Sequence, residues 1–153
     1  MNDPGDSSSP TSIRYAAVDL LARREHSYRE LMTKLGRRFD DAVMIAAQLD
    51  GLAASDLQSD RRFCESFVRS RSQQGQGPRR IAQDLRQRGV TDELVREYLW
   101  EADIDWFAAL QQLYRKRFGE TKPADYKEKA KRMRFLQYRG YDYDLIRDVL
   151  GDG

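Results

Sequence analysis

The stretch Ser72–Val90, SQQGQGPRRIAQDLRQRGV, places two glycines and a proline directly before a pair of arginines. Glycine-rich turns in front of a helix can hold a phosphate on their backbone N–H groups. A nucleotide cradle of this kind needs a fuller glycine pattern after a strand, or a Gly-Lys-Ser/Thr ending, and this stretch has neither. We therefore interpret it as a junction between helices, in which Gly77 caps a new helix and Pro78 occupies its first position.

The remaining reactive residue types form no catalytic or metal-binding pattern. The chain has one cysteine, Cys64, and one histidine, His26, which are too few for a disulfide or for a zinc site of Cys and His ligands. Cys64 is interpreted as a small core residue, and His26 is expected to be exposed or to lie beside a helix cap. Four aspartates at predicted helix starts complement the helix dipole and show no acid–base pairing: Asp40, Asp41, Asp103 and Asp105. We expect no enzymatic activity, no cofactor and no metal.

Positive charge is concentrated in two blocks, although the net charge is only +2. The first block runs from Arg61 to Arg88 and the second from Arg115 to Arg139, and the stretch TDELVREYLWEADIDW between them is acidic. Such blocks are typical of a surface that binds a polyanion or an acidic protein face. They also fit the solvated helix faces of a soluble protein, so composition alone leaves both interpretations open.

Aromatic residues crowd the last third of the chain and interleave with the second basic block. This combination can stack the bases of single-stranded nucleic acid. Four of them keep helical spacing with leucines and are predicted to lie in the core: Trp106, Phe107, Phe118 and Phe135. Three tyrosines fit either role: Tyr138, Tyr141 and Tyr143.

Helices are the elements that the hydrophobic pattern predicts. From Ile13 onward apolar residues recur at a spacing of three and four, and no useful length alternates with the period of two of a half-buried strand. Residues 1–12 are rich in Ser, Asp, Gly and Pro, which predicts a disordered tail. No apolar run reaches the roughly 20 residues of a membrane span. The N-terminus resembles neither a signal peptide nor a transit peptide, so we expect a cytoplasmic protein that does not enter a membrane.

The helices form an internal repeat. The segment LRQRGVTDELVREYL, Leu85–Leu99, matches LQYRGYDYDLIRDVL, Leu136–Leu150, with an Arg-Gly pair at the same place in both. A similar shift aligns the first part of the chain with the second. We therefore predict three units of a long, a short and a third helix, at residues 13–55, 56–101 and 102–151.

The ends of the predicted middle helices differ in their chemistry. Gly89 and Gly140 follow two of them, where a residue with positive φ ends a helix most easily when it is glycine. Ser27 and Glu30 form a predicted capping box at the start of the first middle helix. Phe39 stands where the other two units have glycine, so the first middle helix need not end in the same way.

Three segments of the chain resemble the RecX family of bacterial regulatory proteins that act on the RecA recombinase: LLARREHSYRELMTKL, SDRRFCESFVRSRSQQGQGPRRIAQDLRQRGV and KRMRFLQYRGYDYDLIRDVL. The resemblance extends from Ile13 to Leu150. It implies an all-α fold of three tandem three-helix repeats that form an elongated, curved molecule. The implied function is to bind the RecA–DNA filament and to inhibit the recombinase, ATPase and co-protease activities of RecA, which modulates DNA repair and the SOS response.

The resemblance implies no catalysis by this chain, and the expected partner is the RecA filament, bound by a monomer. Single- or double-stranded DNA is a second candidate partner, and a small helical protein that acts directly on DNA is the alternative function. The clustering of charge predicts a contact surface made of basic residues: Arg69, Arg71, Arg79, Arg80, Arg88, Lys116, Arg117, Lys129, Arg132 and Arg139.

Overall fold

A computed structural model describes residues 8–151, and this part of the chain is all-α, as predicted, with no strand. The helices are α1 (Pro10–Arg23), α2 (Tyr28–Gly36), α3 (Ala42–Ala54), α4 (Asp60–Gln73), α5 (Pro78–Gln87), α6 (Asp92–Val95), α7 (Trp106–Phe118), α8 (Tyr126–Tyr138) and α9 (Tyr143–Leu150). A π-helical turn, Arg96–Trp100, continues α6.

Short polar side chains start most of these helices. Ser27 accepts the Glu30 N–H and Glu30 accepts the Ser27 N–H, which confirms the capping box at the start of α2. Asp41 caps α3 and Asp105 caps α7, each by accepting the N–H of the third residue beyond it. The pattern of Ser and Asp residues before helices therefore satisfies backbone donors that have no partner within the helix.

Helix α1 begins earlier than the sequence pattern predicted. Ser9 caps it by accepting the Ser12 N–H, and Pro10 takes a first-turn position, where its missing N–H costs nothing. Pro10–Ser12 are thus helical rather than part of the tail assigned to residues 1–12. Residues 1–7 of that predicted tail lie outside the described residues.

The chain folds into two compact units. The first unit takes the chain up to Ser66 together with Gln87–Leu94, and the second takes Phe67–Arg86 together with the chain from Val95 onward. Helix α4 supplies residues to both units. The repeat boundaries at 55/56 and 101/102 describe the sequence pattern and stay a prediction.

The first unit packs α1, α2 and α3 against one another around a buried core. Leu31, Leu35 and Leu49 belong to this core and are almost fully buried. Phe39 is 2 % exposed and belongs to it as well. The residue that replaces glycine in the first repeat thus fills the core with an aromatic ring.

The start of α2 is held by residues distant in the sequence. The Ser27 hydroxyl donates to the Arg88 carbonyl at 2.8 Å, and the Tyr28 N–H donates to Asp60 Oδ1 at 2.8 Å. Gly89 has a φ of 82°, and a Cβ there would lie 2.9 Å from Arg29 Cβ. The Arg-Gly pair at positions 88 and 89 therefore ends α5 and packs against the first turn of α2.

His26 lies beside this junction and is buried, at 2 % exposure. This position confirms the expectation that His26 lies beside the helix cap. The alternative expectation, an exposed side chain, is wrong. Its Nε2 lies 3.0 Å from Lys34 Nζ and its Nδ1 lies 3.1 Å from the Arg24 carbonyl oxygen. Because an ammonium group only donates, Nε2 accepts and Nδ1–H donates, so the ring is neutral. Burial lowers the pKa of His26, and the nearby Arg24 and Lys34 charges lower it further.

The second unit contains the same kind of junction. The Gly77 N–H donates to the Arg139 carbonyl at 2.7 Å, and the Arg79 N–H donates to the Gly140 carbonyl at 3.0 Å. A Cβ on Gly77 would lie 2.6 Å from the carbonyl carbon and oxygen of Gly140. Gly77 does precede α5, as predicted, but the close approach of two backbones is what demands glycine there.

A buried cluster of Leu110, Leu136, Tyr141 and Ile146 forms a core of the second unit, where α7, α8 and α9 pack together. Tyr141 is 2 % exposed, so it is a core residue rather than a stacking platform. Phe107 is 41 % exposed, and its predicted place in the core is wrong, because helical spacing does not show how wide a helix face is covered.

The close approach at Gly77 predicts a large loss of stability for Gly77→Ala. The added methyl group meets backbone atoms that cannot rotate away, and we expect the free energy of unfolding to fall by about 3 kcal/mol. The control is Gly36→Ala, because a Cβ there has no neighbour within 4 Å. Urea denaturation followed by circular dichroism measures both, and equal stability of the two variants would contradict the proposed packing.

The pKa of His26 predicts a pH-dependent loss of stability. Because the pKa is lowered on folding, the unfolded chain binds more protons below about pH 6.5, and the free energy of unfolding must fall as the pH drops through this range. The chain has one histidine, so its ring signals in an NMR titration report this pKa directly. A His26→Gln variant should lose this part of the pH dependence between about pH 7.5 and 5.5. Identical pH profiles for the two proteins would exclude the neutral, buried ring.

Candidate partner-binding grooves

Two open grooves in the second unit gather basic side chains. The larger, which we call the α7 groove, has a volume of about 590 Å³. It lies between the end of α4, the turn at Gly75, α7 and the end of α8. Its lining residues are Ser72, Gln73, Gln74, Gly75, Ala109, Gln112, Leu113, Lys116, Arg117, Phe135 and Arg139.

The α7 groove is positively charged. Lys116, Arg117 and Arg139 line it, and neither Asp nor Glu is among its lining residues. Two acidic residues near these elements are engaged elsewhere: Glu120 pairs with Arg115 at 3.5 Å, and Glu128 pairs with Arg132 at 3.0 Å. The charge of the groove is therefore not neutralised by its own walls.

A single aromatic ring, that of Phe135, forms part of the groove wall. The guanidinium carbons of Arg117 and Arg139 lie 4.9 Å and 5.6 Å from its centroid, within the range of cation–π attraction. Phe118 packs edge-on against the same ring, with 5.6 Å between centroids. Phe118 and Phe135 are half-buried rather than core residues, and Phe135 packs against the buried cluster of the second unit.

The turn at Gly75 brings the backbone close to this wall. Gly75 has a φ of 91°, and a Cβ there would lie 3.1 Å from Leu113 Cδ1 and 3.5 Å from Arg139 Nη2. The Nε of Arg139 is buried and has no hydrogen-bond partner among the described residues. Gly75 thus leaves room for the guanidinium of Arg139.

The smaller groove, which we call the α8 groove, has a volume of about 340 Å³. Its lining residues are Tyr126, Lys129, Ala130, Met133, Arg134, Gln137 and Tyr143. These positions lie on the side of α8 opposite to Phe135 and Arg139, because residues three and four apart share one helix face. Tyr126 is 85 % exposed and Tyr143 is 47 % exposed. The α8 groove therefore has exposed aromatic surface, whereas Phe135 in the α7 groove is half-buried.

Tyr126 and Arg134 of the α8 groove are not among the contact residues that the sequence predicted. A signal was present, since Tyr126, Lys129, Met133 and Gln137 follow helical spacing on one face. The large number of basic residues in this block hid it, because charge alone does not distinguish one face of α8 from the other.

The structure separates the predicted basic residues into groups. Lys116, Arg117 and Arg139 meet in the α7 groove, and Lys129 lines the α8 groove. Arg69 and Arg79 are exposed and line neither groove.

The other predicted contact residues are held by the fold. Arg71 pairs with Asp84 and lies 4.2 Å from the Phe67 ring centroid. Arg80 packs closely on Gly140 and lies over the ring of Tyr138. In the first unit, Arg88 pairs with Glu30 at 3.3 Å.

Arg132 leaves the set of candidate contact residues, since it is 6 % exposed. It donates to Glu128 at 3.0 Å, to the Tyr114 hydroxyl at 2.8 Å and to the Thr121 carbonyl at 2.7 Å. These bonds tie α8 to α7 and to the loop between them. The sequence did not show this, because a buried and an exposed arginine look alike in a basic run.

The structure shows no group of three or more metal-ligating side chains within residues 8–151. In the same part of the chain, no helix combines the length and the apolar character that crossing a bilayer requires.

These features define a class of protein, namely an all-α protein of short helices with two basic grooves in its second unit. Family models narrow the class: residues 59–99 match the second three-helix domain of RecX, and residues 103–150 match the third. The chain is 46 % identical to the regulatory protein RecX of Halorhodospira halophila, over 96 % of this chain and 90 % of that protein. It is 42 % identical to the regulatory protein RecX of Pseudomonas savastanoi pv. phaseolicola, over 93 % of this chain and 92 % of the relative. The chain belongs to the RecX family.

Solved structures of the family share the fold. The crystal structure of RecX from Lactobacillus salivarius superposes with a TM-score of 0.72 at 20 % identity, covering 94 % of this chain and 95 % of that one. A second crystal structure, of a regulatory protein RecX, gives a TM-score of 0.74 at 18 % identity, covering 94 % of this chain and 72 % of the other.

The burial of Arg132 predicts that its loss weakens the fold. Arg132→Gln leaves Glu128 and the Thr121 carbonyl without their donor, and we expect the midpoint of thermal unfolding to fall by about 5 °C or more. The matched control is Arg134→Gln, the same change two positions later at an exposed residue, which should leave the midpoint nearly unchanged. If both variants melt alike, Arg132 is not the structural residue described above.

Proposed function

We propose that this protein binds the RecA–DNA filament and inhibits the recombinase, ATPase and co-protease activities of RecA, and so modulates DNA repair and the SOS response. The observation that carries the proposal is membership of the RecX family along nearly the whole chain. In this function the protein acts by binding, as a monomer and in the cytoplasm, and performs no chemistry of its own.

Binding can slow ATP hydrolysis by RecA when the protein prefers one state of the filament. A ligand shifts a conformational equilibrium by the difference between its affinities for the two states. A protein that spans neighbouring RecA subunits meets this condition when it fits the arrangement before nucleotide turnover better than the arrangement after it. Such a contact slows ATP hydrolysis and also obstructs the addition of subunits.

The contact surface that we propose uses basic side chains that the fold leaves accessible. They are the three cations of the α7 groove, Lys129 in the α8 groove, and the exposed residues Arg69 and Arg79. A filament of protein on DNA presents phosphates and acidic protein surface, and positive charge raises the rate of encounter with both.

The α8 groove supports the alternative function, direct binding of DNA. It offers the exposed ring of Tyr126 beside Lys129 and Arg134, and no acidic residue lines it. An exposed aromatic ring with neighbouring cations is the usual platform for a base of single-stranded nucleic acid. This groove is compatible with a protein that contacts DNA inside the filament as well as with one that binds DNA alone.

The proposed function predicts that the protein inhibits the ATPase activity of RecA on single-stranded DNA. We expect inhibition at stoichiometric amounts of the wild-type protein. Arg69→Glu/Arg79→Glu should need about tenfold more protein for the same effect, which corresponds to about 1.4 kcal/mol of binding free energy. Lys122→Glu/Lys127→Glu is the control, because it changes the net charge equally at exposed residues outside both grooves.

An absence of inhibition by excess wild-type protein would contradict the proposed function. A titration of fluorescent single-stranded DNA over a salt series then tests the alternative. Binding that needs no RecA and falls steeply as salt rises would establish a protein that acts directly on DNA, because phosphate contacts release counterions.

A further inference from the structure

We propose that the α7 groove binds an acidic peptide segment of a protein partner. An apolar side chain of the segment packs on Leu113 and Phe135, and its carboxylates pair with Lys116, Arg117 and Arg139. The identity of that partner as RecA rests on the proposed function, whereas the chemistry of the peptide rests on the groove itself.

Charge complementarity is the first reason. The groove has three cationic side chains and no acidic one, and the nearby carboxylates of Glu120 and Glu128 pair with other arginines. An occupant that carries carboxylates therefore meets positive charge without a competing negative group. Two of the cations are guanidinium groups, whose planar forks fit carboxylates through paired hydrogen bonds.

The polar walls of the groove suit a peptide backbone. The exposed residues Gln73, on α4, and Gln112, on α7, both line the groove. Each amide offers both a donor and an acceptor, which is what the N–H and C=O groups of an extended peptide require. The volume of about 590 Å³ lies in the range of pockets that enclose a ligand, and a few residues of peptide fill such a space.

The aromatic ring in the groove argues for a peptide over a nucleic acid. Base stacking needs an open ring face. Arg117 and Arg139 already lie at cation–π distance from Phe135, and Phe118 packs edge-on against it. What Phe135 and Leu113 leave to an occupant is apolar surface, which suits a side chain such as Leu or Phe.

Arg139 adds a further observation. Its Nε is buried and has no hydrogen-bond partner among the described residues, although buried donors of native proteins are almost always paired. A carboxylate that approaches the guanidinium gives this side chain an acceptor. A Cβ at Gly75 would lie 3.5 Å from Arg139 Nη2, so the glycine keeps this turn from crowding the guanidinium.

The test is a fluorescence anisotropy titration of the full-length protein with a short fluorescein-labelled peptide in which Asp and Glu flank one Leu and one Phe. We expect saturable binding of this peptide and at least about tenfold weaker binding of a version with Asn and Gln in place of the acids. Lys116→Glu/Arg117→Glu should weaken binding of the acidic peptide by about tenfold or more. Circular dichroism checks that the variant keeps the helical content of the wild type.

The control variant is again Lys122→Glu/Lys127→Glu, which alters the net charge by the same amount at exposed positions that do not line the groove. It should bind the peptide within about twofold of the wild type. Equal weakening by the two variants would overturn the proposal, because net charge rather than the groove would then decide binding.

Two further outcomes would also overturn it. One is equal binding of the acidic and amide peptides. The other is that Lys116→Glu/Arg117→Glu weakens binding of a fluorescent oligothymidylate but not of the peptide. The groove would then be a nucleic-acid site. Since no arm contains RecA, groove-dependent peptide binding together with a lack of RecA inhibition would refute the proposed function and leave the groove assignment standing.

Discussion

Hydrogen bonds to backbone carbonyls join the start of one middle helix to the end of the next, and they constrain much of this sequence. In the second unit, the N–H groups of Gly77 and Arg79 donate to the carbonyls of Arg139 and Gly140. In the first, the Ser27 hydroxyl donates to the Arg88 carbonyl. A Cβ on Gly77 would lie 2.6 Å from the carbonyl carbon and oxygen of Gly140, and a Cβ on Gly89 would lie 2.9 Å from Arg29 Cβ, so both contacts need a glycine. The same bonds satisfy polar groups that a buried helix end would otherwise leave unpaired.

These junctions also explain why the starts of α2 and α5 differ in their residues. Ser27 accepts from its own helix through the capping box and donates to the neighbouring carbonyl, while Asp60 accepts the Tyr28 N–H. Pro78 has no N–H and therefore needs no acceptor at the equivalent place. Phe39 follows α2 in place of a glycine and contributes a buried ring to the first core.

The basic residues divide into those that build the fold and those that face outward. Arg132 joins α8 to α7 through three hydrogen-bond partners, and Arg88 pairs with Glu30. Lys116 and Arg117 are exposed on α7 and line a groove without acidic residues. Because α8 presents opposite faces to the two grooves, one helix provides a guanidinium-lined wall on one side and open tyrosine surface on the other.

The sequence by itself determined the helices, their caps and the repeat, since these depend on local spacing and on short-range hydrogen bonds. The Ser27 capping box, the helix start at Pro78 and the positive φ of Gly89 and Gly140 follow from neighbours a few residues away. Only the tertiary structure decided which arginines are buried, and that Tyr141 lies in the core while Tyr126 is exposed. It also decided that His26 is buried and bonded as a neutral ring. The reason is physical: burial and charge pairing depend on residues far apart in the chain. In the stretch from Ser72 to Val90, the sequence predicted where the junction lies. Only the packing showed that Gly77 leaves space for the backbone of Gly140, and that Gly75 leaves space for the side chain of Arg139.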